Sequence, residues 1–167
     1  AHPAGRGVRV KLLLDGFGSS AAGPEFFQPI RDEGGNICLF LPSYGRRYLI
    51  RNHQKLVVAD DSRAIIGGAN VESVYLTDKG DDYWRDLWVR IDGPAVVPAS
   101  RYFDSLYLWT TTKGAKLRTL RKIVARHSQT QGALQWKFSG PLSRKNSLPA
   151  ALARELSSPR QFDLSLL

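Results

Sequence analysis

The sequence lacks the residues and runs that mark several common classes of protein. Its 167 residues include no methionine and a single cysteine, Cys38. One cysteine excludes an internal disulfide, which fits a reducing compartment such as the cytoplasm. Cys38 lies within the apolar run ICLFL, where we expect a buried, unreactive thiol. No apolar run reaches the roughly 18 residues that a membrane span needs, and no signal peptide is recognisable.

The missing methionine also bears on what kind of polypeptide this is. The chain begins with Ala1 rather than Met, so we expect it to be an excised domain or a processed piece of a longer protein. Its 167 residues, 43% of them hydrophobic, are nevertheless enough for one globular domain with its own core.

Acidic residues are scarce in the last third of the chain. Residues 110–167 contain 11 Lys and Arg but only 2 Asp and Glu, so the whole net charge of +9 arises there. Such asymmetry indicates an anionic partner, either nucleic acid or a membrane surface. A solvated helix face or a linker is the alternative explanation.

Apolar periodicity predicts an α/β fold. We expect five strands to form one mixed sheet with helices packed on it. The predicted strands lie near 8–14, 36–41, 53–58, 63–67 and 86–91. The predicted helices lie at 24–33, 94–109, 113–127 and 147–156, and a further strand is predicted at 132–141.

The most informative stretch is RNHQKLVVADDSRAIIGGAN at 51–70. Two apolar runs flank a polar turn, a pattern that predicts a β-hairpin. His53 and Lys55 are two residues apart and therefore project from one face of a strand. If the turn is centred between Asp60 and the next residue, His53 lies opposite Gly68, with Asn70 just beyond.

These residue types suit the cleavage of a phosphodiester. Neutral His53 can supply a nucleophile, while Lys55 and Asn70 can hold the non-bridging oxygens. Backbone amides at Gly67 and Gly68 can add to that cradle. We predict a structural role in the turn for Asp60. The chain has no cluster of metal-ligand spacing, so we expect neither a metal nor another cofactor.

Residues 51–70 match H-x-K-x4-D-x6-G-[GS]-x-N at every fixed position. The stretch thus resembles the HKD motif of the phospholipase D superfamily. Together with WRDLWVRIDGPAV and the aromatic helix that follows, it resembles the N-terminal half of a bacterial cardiolipin synthase-like protein. The resemblance implies a phospholipase D-type mixed sheet sandwiched by helices. It also implies an HKD domain at 1–141, followed at 142–167 by the start of a second half or a C-terminal extension.

In that family two HKD motifs face each other. One histidine becomes phosphorylated through nitrogen, and the other protonates the leaving group. This chain has one motif, which implies half an active site. The second half is either lost from this chain or supplied by a second copy in a homodimer. The resemblance further implies that Asp86 orients His53; the alternative for Asp86 is an ion pair with Arg85 or Arg90.

Three functions follow from these patterns. The first is a phospholipase or phosphatidyltransferase that acts on phospholipid head groups at an anionic membrane surface, within a membrane-associated parent protein. The second is a nuclease or another phosphodiesterase of the same superfamily. The third is a non-catalytic half-domain that binds anionic lipid or nucleic acid through residues 110–167. The WRDLWVRIDGPAV segment favours the first.

Overall fold

A computed structural model describes most of the chain. The described residues are 7–40, 50–77, 84–129, 131–132, 134–139, 150, 152–154 and 157. The predicted domain boundary at 141/142 and most of the predicted helix at 147–156 lie outside these residues. The chain folds as two compact units, Ala1–Ala115 and Lys116–Leu167.

The described elements are a mixture of strands and helices, as the sequence predicts. Two of the helices begin with a short 3-10 turn, at Pro24–Phe27 and Pro94–Val96. The strands are β1 Lys11–Asp15, β2 Asn36–Phe40, β3 Lys55–Ala59, β4 Arg63–Gly67 and β5 Trp88–Asp92. The helices are α1 Gln28–Asp32, α2 Ser73–Leu76, α3 Val97–Thr111 and α4 Leu117–His127. The mixed α/β class is therefore confirmed.

The strands form two sheets in the described part of the chain, not the single mixed sheet that the sequence predicts. Strands β1 and β2 pair in parallel, with α1 in the connection between them. Strands β3, β4 and β5 form an antiparallel sheet in that order. The apolar pattern identifies extended segments, but it does not determine which backbone edges exchange hydrogen bonds, and the prediction of one sheet was wrong for that reason.

The β3–β4 hairpin is present, but its register differs by one residue from the prediction. Lys55 pairs with Gly67, and Ala59 pairs with Arg63. The loop therefore has three residues, and its first two, Asp60 and Asp61, have φ of 51° and 52°. Aspartate tolerates this left-handed region better than most residues. His53 precedes β3 instead of lying within it, so it is not paired with Gly68.

Helix α3 carries much of the core of the first unit. Pro94 and Pro98 lie in the first turns of this segment, where a missing amide proton costs little. The buried residues of α3 recur at helical spacing: Ala99, Tyr102, Leu106 and Trp109. The Trp109 ring lies 5.7 Å from that of Phe40 on β2. Cys38 on β2 is half-buried, less than predicted, and burial raises the pKa of its thiol.

The second unit is described by α4 and the segment 134–139. In α4, Leu120 and Val124 are buried, and its basic residues face outward. The described part of the strand predicted at 132–141 is not a strand, so that prediction was wrong there. Instead Gln129 N donates to Trp136 O at 2.8 Å, and Ser128 joins Phe138 through its side-chain hydroxyl. None of the described helices is long and apolar enough to cross a bilayer.

Candidate active site

His53 and Lys55 are in direct contact. The Lys55 Nζ lies 3.1 Å from each nitrogen of the His53 ring and donates to the His53 carbonyl oxygen at 3.1 Å. A ring nitrogen can accept from an ammonium only where it carries no proton. A neutral imidazole has one such nitrogen, which is also the atom that can act as a nucleophile, so at most one of the two contacts is a hydrogen bond that the ring accepts.

Lys55 lies among groups of opposite charge. Partial burial lowers the pKa of Lys55 below its ordinary value, while the carboxylates of Asp86 and Glu72 act in the opposite direction. Burial therefore disfavours the ammonium more than these two carboxylates stabilise it. An incoming anion would stabilise this charge further, so the position is suited to a phosphate group.

The two glycines of the motif make room for neighbouring side chains. Gly68 N donates to Asp86 Oδ1 at 3.2 Å, and a Cβ on Gly68 would lie 2.6 Å from that same oxygen. A Cβ on Gly67 would lie 2.4 Å from the Trp88 ring and 2.8 Å from the Leu87 carbonyl oxygen. The Gly-Gly pair thus allows β4 and the segment before β5 to approach closely.

Asp86 is held by backbone amides. Besides Gly68 N, its Oδ1 accepts from Leu87 N at 2.6 Å. Of the two alternative ion pairs, the one with Arg90 does not occur among the described residues, where Arg90 pairs with Asp92 at 2.8 Å; the one with Arg85 stays a prediction. Asp86 is thus fixed at the edge of the site within electrostatic range of Lys55. Its role in orienting His53 stays a prediction, since the contacts described for the His53 ring are with Lys55.

Asn70 is brought to the same site by the end of β4. It follows the buried Ala69 and donates through Nδ2 to Glu72 Oε1 at 3.2 Å. Glu72 therefore accepts a hydrogen bond from Asn70, and its negative charge stabilises the Lys55 ammonium. Sequence reasoning missed Glu72 because it lies outside the fixed positions of the motif.

Asp60 lies apart from these groups. It is exposed in the hairpin turn, at the opposite end of β3 from Lys55. Its neighbour Asp61 makes the bracing contact, accepting a hydrogen bond from the Ser100 hydroxyl on α3. This placement agrees with the predicted structural role for the turn and shows that the bracing side chain is the second aspartate.

Asp15, at the end of β1, holds the chain immediately before His53. Its carboxylate accepts from Arg51 Nε at 2.9 Å and from Asn52 N at 2.8 Å, and also from the amides of Phe17 and Gly18 at 3.0 and 2.8 Å. Burial alone would raise the pKa of Asp15. The hydrogen bonds from Gly18, Asn52 and Arg51, with the Arg51 charge, outweigh burial and lower it.

A second anchor lies directly after His53. The buried Tyr102 of α3 donates through its hydroxyl to Gln54 Oε1 at 3.0 Å. His53 is therefore flanked by one residue tied to β1 and another tied to α3. Sequence reasoning missed both anchors. The signals that could have indicated the first anchor are an acidic residue at the end of an apolar strand and an Arg two residues before the motif histidine.

Exposed apolar side chains surround the site. Val71 is 89% exposed and Leu87 74% exposed, although each directly follows a predicted site residue. Phe17 is also exposed, with the Arg51 guanidinium 4.1 Å from its ring centre.

Comparison with curated proteins confirms the resemblance that the motif predicts: the chain is similar to part of the bacterial cardiolipin synthases. It is 40% identical over 95 residues to the major cardiolipin synthase ClsA of Bacillus subtilis, covering 54% of this chain and 20% of the relative. It is 30% identical to cardiolipin synthase 1 of Bacillus cereus over 93% of this chain and 33% of the relative. A cardiolipin synthase of Staphylococcus aureus is 41% identical over 96 residues.

The matched part amounts to 20% of the length of the Bacillus subtilis protein and 33% of that of the Bacillus cereus protein. The chain thus spans between about a fifth and a third of the length of these relatives. Neither a protein-family model nor a solved structure matches it.

We predict that the Asp15 anchor contributes measurably to stability. Asp15→Ala leaves the amides of Phe17, Gly18 and Asn52 without their acceptor, and we expect a loss of about 2 kcal/mol in the free energy of unfolding. Because the folded pKa is lowered, this stabilisation is present above the unfolded pKa of about 3.9 and is lost as pH falls through the folded value.

The matched control is Asp104→Ala, which removes an ion pair with Lys11. This pair is exposed, since the side chain of Asp104 is 57% exposed and that of Lys11 is 49% exposed. An exposed pair of this kind contributes about 0–1 kcal/mol. Urea unfolding at pH 7 and at decreasing pH measures both variants. Equal, small losses in the two variants would contradict a special role for Asp15.

Proposed function

We propose that this chain supplies one half of the active site of a phospholipase D-type phosphatidyltransferase that acts on phospholipid head groups, as a cardiolipin synthase-like protein. The observation that carries the proposal is the contact of His53 with Lys55 beside Asp86 and Asn70, in a chain similar to cardiolipin synthases. The proposal assigns His53 as nucleophile, Lys55 as cation and Asn70 as amide donor, which is the set that displacement at a phosphodiester needs.

In the proposed first step, a His53 ring nitrogen attacks the phosphorus of a phospholipid. The nitrogen–phosphorus bond forms as the bond from phosphorus to the head-group oxygen breaks. That oxygen leaves with the bonding electrons and takes a proton from a general acid. A general acid typically contributes about 10²–10⁴-fold to such a step. In this proposal the second half of the site supplies it.

In the second step, the hydroxyl of an acceptor alcohol attacks the phosphohistidine. The new oxygen–phosphorus bond forms, the nitrogen–phosphorus bond breaks, and the hydroxyl proton returns to the group that acted as acid. The phosphatidyl group is thereby transferred and His53 is regenerated. Water in place of the alcohol gives hydrolysis instead.

Lys55 and Asn70 stabilise the charge on the non-bridging oxygens in both steps. In the structure Asn70 Nδ2 is bonded to Glu72 at 3.2 Å, so a phosphate that binds there replaces the Glu72 carboxylate. Asp86 supports the site by accepting a hydrogen bond from Gly68 N. In the phosphorylated enzyme it also orients the His53 imidazolium that carries the phosphoryl group.

The remaining parts of the proposal concern the surroundings of the site. In this proposal residues 1–141 form an HKD domain with a phospholipase D-type mixed sheet sandwiched by helices. Residues 142–167 begin a second half or form a C-terminal extension. The second motif comes from another half of the same protein or from a second copy. Because the substrate is a membrane lipid, we expect the protein to associate with an anionic membrane surface.

Substitutions at the site test the roles of its residues in an active assembly that contains this chain and a second half. We expect His53→Ala to remove nearly all turnover, because the nitrogen–phosphorus bond cannot form. We expect Lys55→Ala and Asn70→Ala each to lower kcat by about 10²-fold or more. His127→Ala in α4 is the matched control and should leave kcat near wild type. Wild-type turnover in His53→Ala would rule out the covalent mechanism.

The substrate class is tested by offering the same assembly two phosphodiesters in the presence of EDTA. We expect turnover of phosphatidylglycerol vesicles, measured as released head group, because the Lys55 charge and hydrogen bonds from Asn70 and backbone amides stabilise the phosphate without a metal ion. We expect no cleavage of single-stranded DNA. Cleavage of DNA without lipid turnover would contradict the proposal in favour of a nuclease. Loss of activity with EDTA, restored by a divalent ion, would indicate a different class of phosphodiesterase.

A further inference from the structure

Helix α4 has one strongly basic face. Its buried residues, Leu120 and Val124, lie on one side. The exposed basic residues of the helix are Arg118, Arg121, Lys122 and Arg126. At about 100° per residue, these four fall within an arc of about 140° opposite the buried stripe. We call these four residues the basic face of α4.

The positive charge of this face is not neutralised within the described structure. Among described residues, no ion pair joins any of the four to an acidic side chain. No Asp or Glu occurs in the sequence between Asp104 and Glu155. By contrast Lys137, the next basic residue along the chain, is half-buried and donates to the Gln129 carbonyl oxygen at 2.5 Å. The basic face is therefore available to an external anion.

The way in which the helix is buried determines how it can meet a membrane. An interfacial helix usually inserts its apolar face between lipid head groups. In α4 that stripe is already inside the protein, since Leu120 and Val124 are each 3% exposed. Contact with a bilayer must then be made by the charged side, through attraction to anionic head groups and without insertion.

The composition of the face favours lipid over single-stranded nucleic acid. Proteins that bind single strands combine basic residues with aromatic side chains on which the bases stack. Residues 113–127 contain no Phe, Trp or Tyr. We propose that the basic face of α4 is a docking surface for a bilayer that contains anionic phospholipid and that it binds by charge alone. The choice of lipid rests also on the proposed function.

Vesicle binding of the full chain tests this inference. The probes are vesicles of phosphatidylcholine with one quarter phosphatidylglycerol, and vesicles of phosphatidylcholine alone. We expect binding to the anionic vesicles only. Raising salt from about 0.1 M to about 1 M shortens the screening length from about 10 Å to about 3 Å, and should abolish binding. Equal binding to both vesicles, or binding that resists salt, would overturn the inference.

Charge reversal shows whether α4 is the surface that binds. Each basic residue near an anionic surface is worth about fivefold in affinity, so Arg118→Glu, Arg121→Glu and Lys122→Glu together should weaken binding more than about 100-fold. The matched control reverses three exposed arginines elsewhere with the same change in net charge: Arg9, Arg63 and Arg101. We expect the control to weaken binding less than about tenfold.

Three outcomes would overturn the inference. The first is wild-type vesicle binding by the α4 variant when its far-ultraviolet circular dichroism is unchanged. The second is equal weakening in the α4 variant and the control. The third is displacement from vesicles by single-stranded DNA at lower concentration than by soluble anionic lipid. Vesicle binding requires no turnover. A failure to bind vesicles would therefore not contradict the chemistry proposed at His53, which is measured separately on a soluble phosphodiester.

Discussion

The site depends first on the Asp15 carboxylate. It lies at the end of β1, with its side chain 13% exposed, and it holds Arg51 and the amide of Asn52. A charge in this position needs several donors to offset its partial burial, and four neighbouring groups provide them. The parallel β1–β2 pair is thereby connected to the segment that carries His53, although the two sheets exchange no backbone ladder in the described residues.

The other supports act on the same short segment from different directions. Tyr102 reaches Gln54 from α3, and the hairpin turn is tied to α3 through Asp61 and Ser100. Lys55 begins β3 and reaches back to the His53 ring. His53, the proposed nucleophile, is thus on an irregular segment held at both ends, next to the Lys55 ammonium on a regular strand. Such support restricts the imidazole while leaving it exposed to substrate.

The sequence was sufficient to predict most elements and a hairpin with His53, Lys55 and Asn70 at one end, whereas the roles of these residues stay predictions. It was insufficient for the register, since a three-residue turn with two left-handed aspartates has the same apolar pattern as a two-residue turn. Asp15 and Glu72 were missed because the tertiary fold and charge determine which residues they interact with, and the local sequence pattern shows neither. The segment at 134–139 has strand-like alternation, but its hydrogen bonds go mainly to the residues after α4.

We propose that His53 is the nucleophile of a half-site. A nitrophenyl phosphodiester tests it on this chain, because nitrophenolate leaves as a stable anion and needs no general acid. We expect a burst of at most one nitrophenolate per chain, no sustained turnover, and a nitrogen-linked phosphoryl adduct on His53 by mass spectrometry. His53→Asn should show neither burst nor adduct. An adduct on another residue, or an unchanged burst in His53→Asn, would contradict the account.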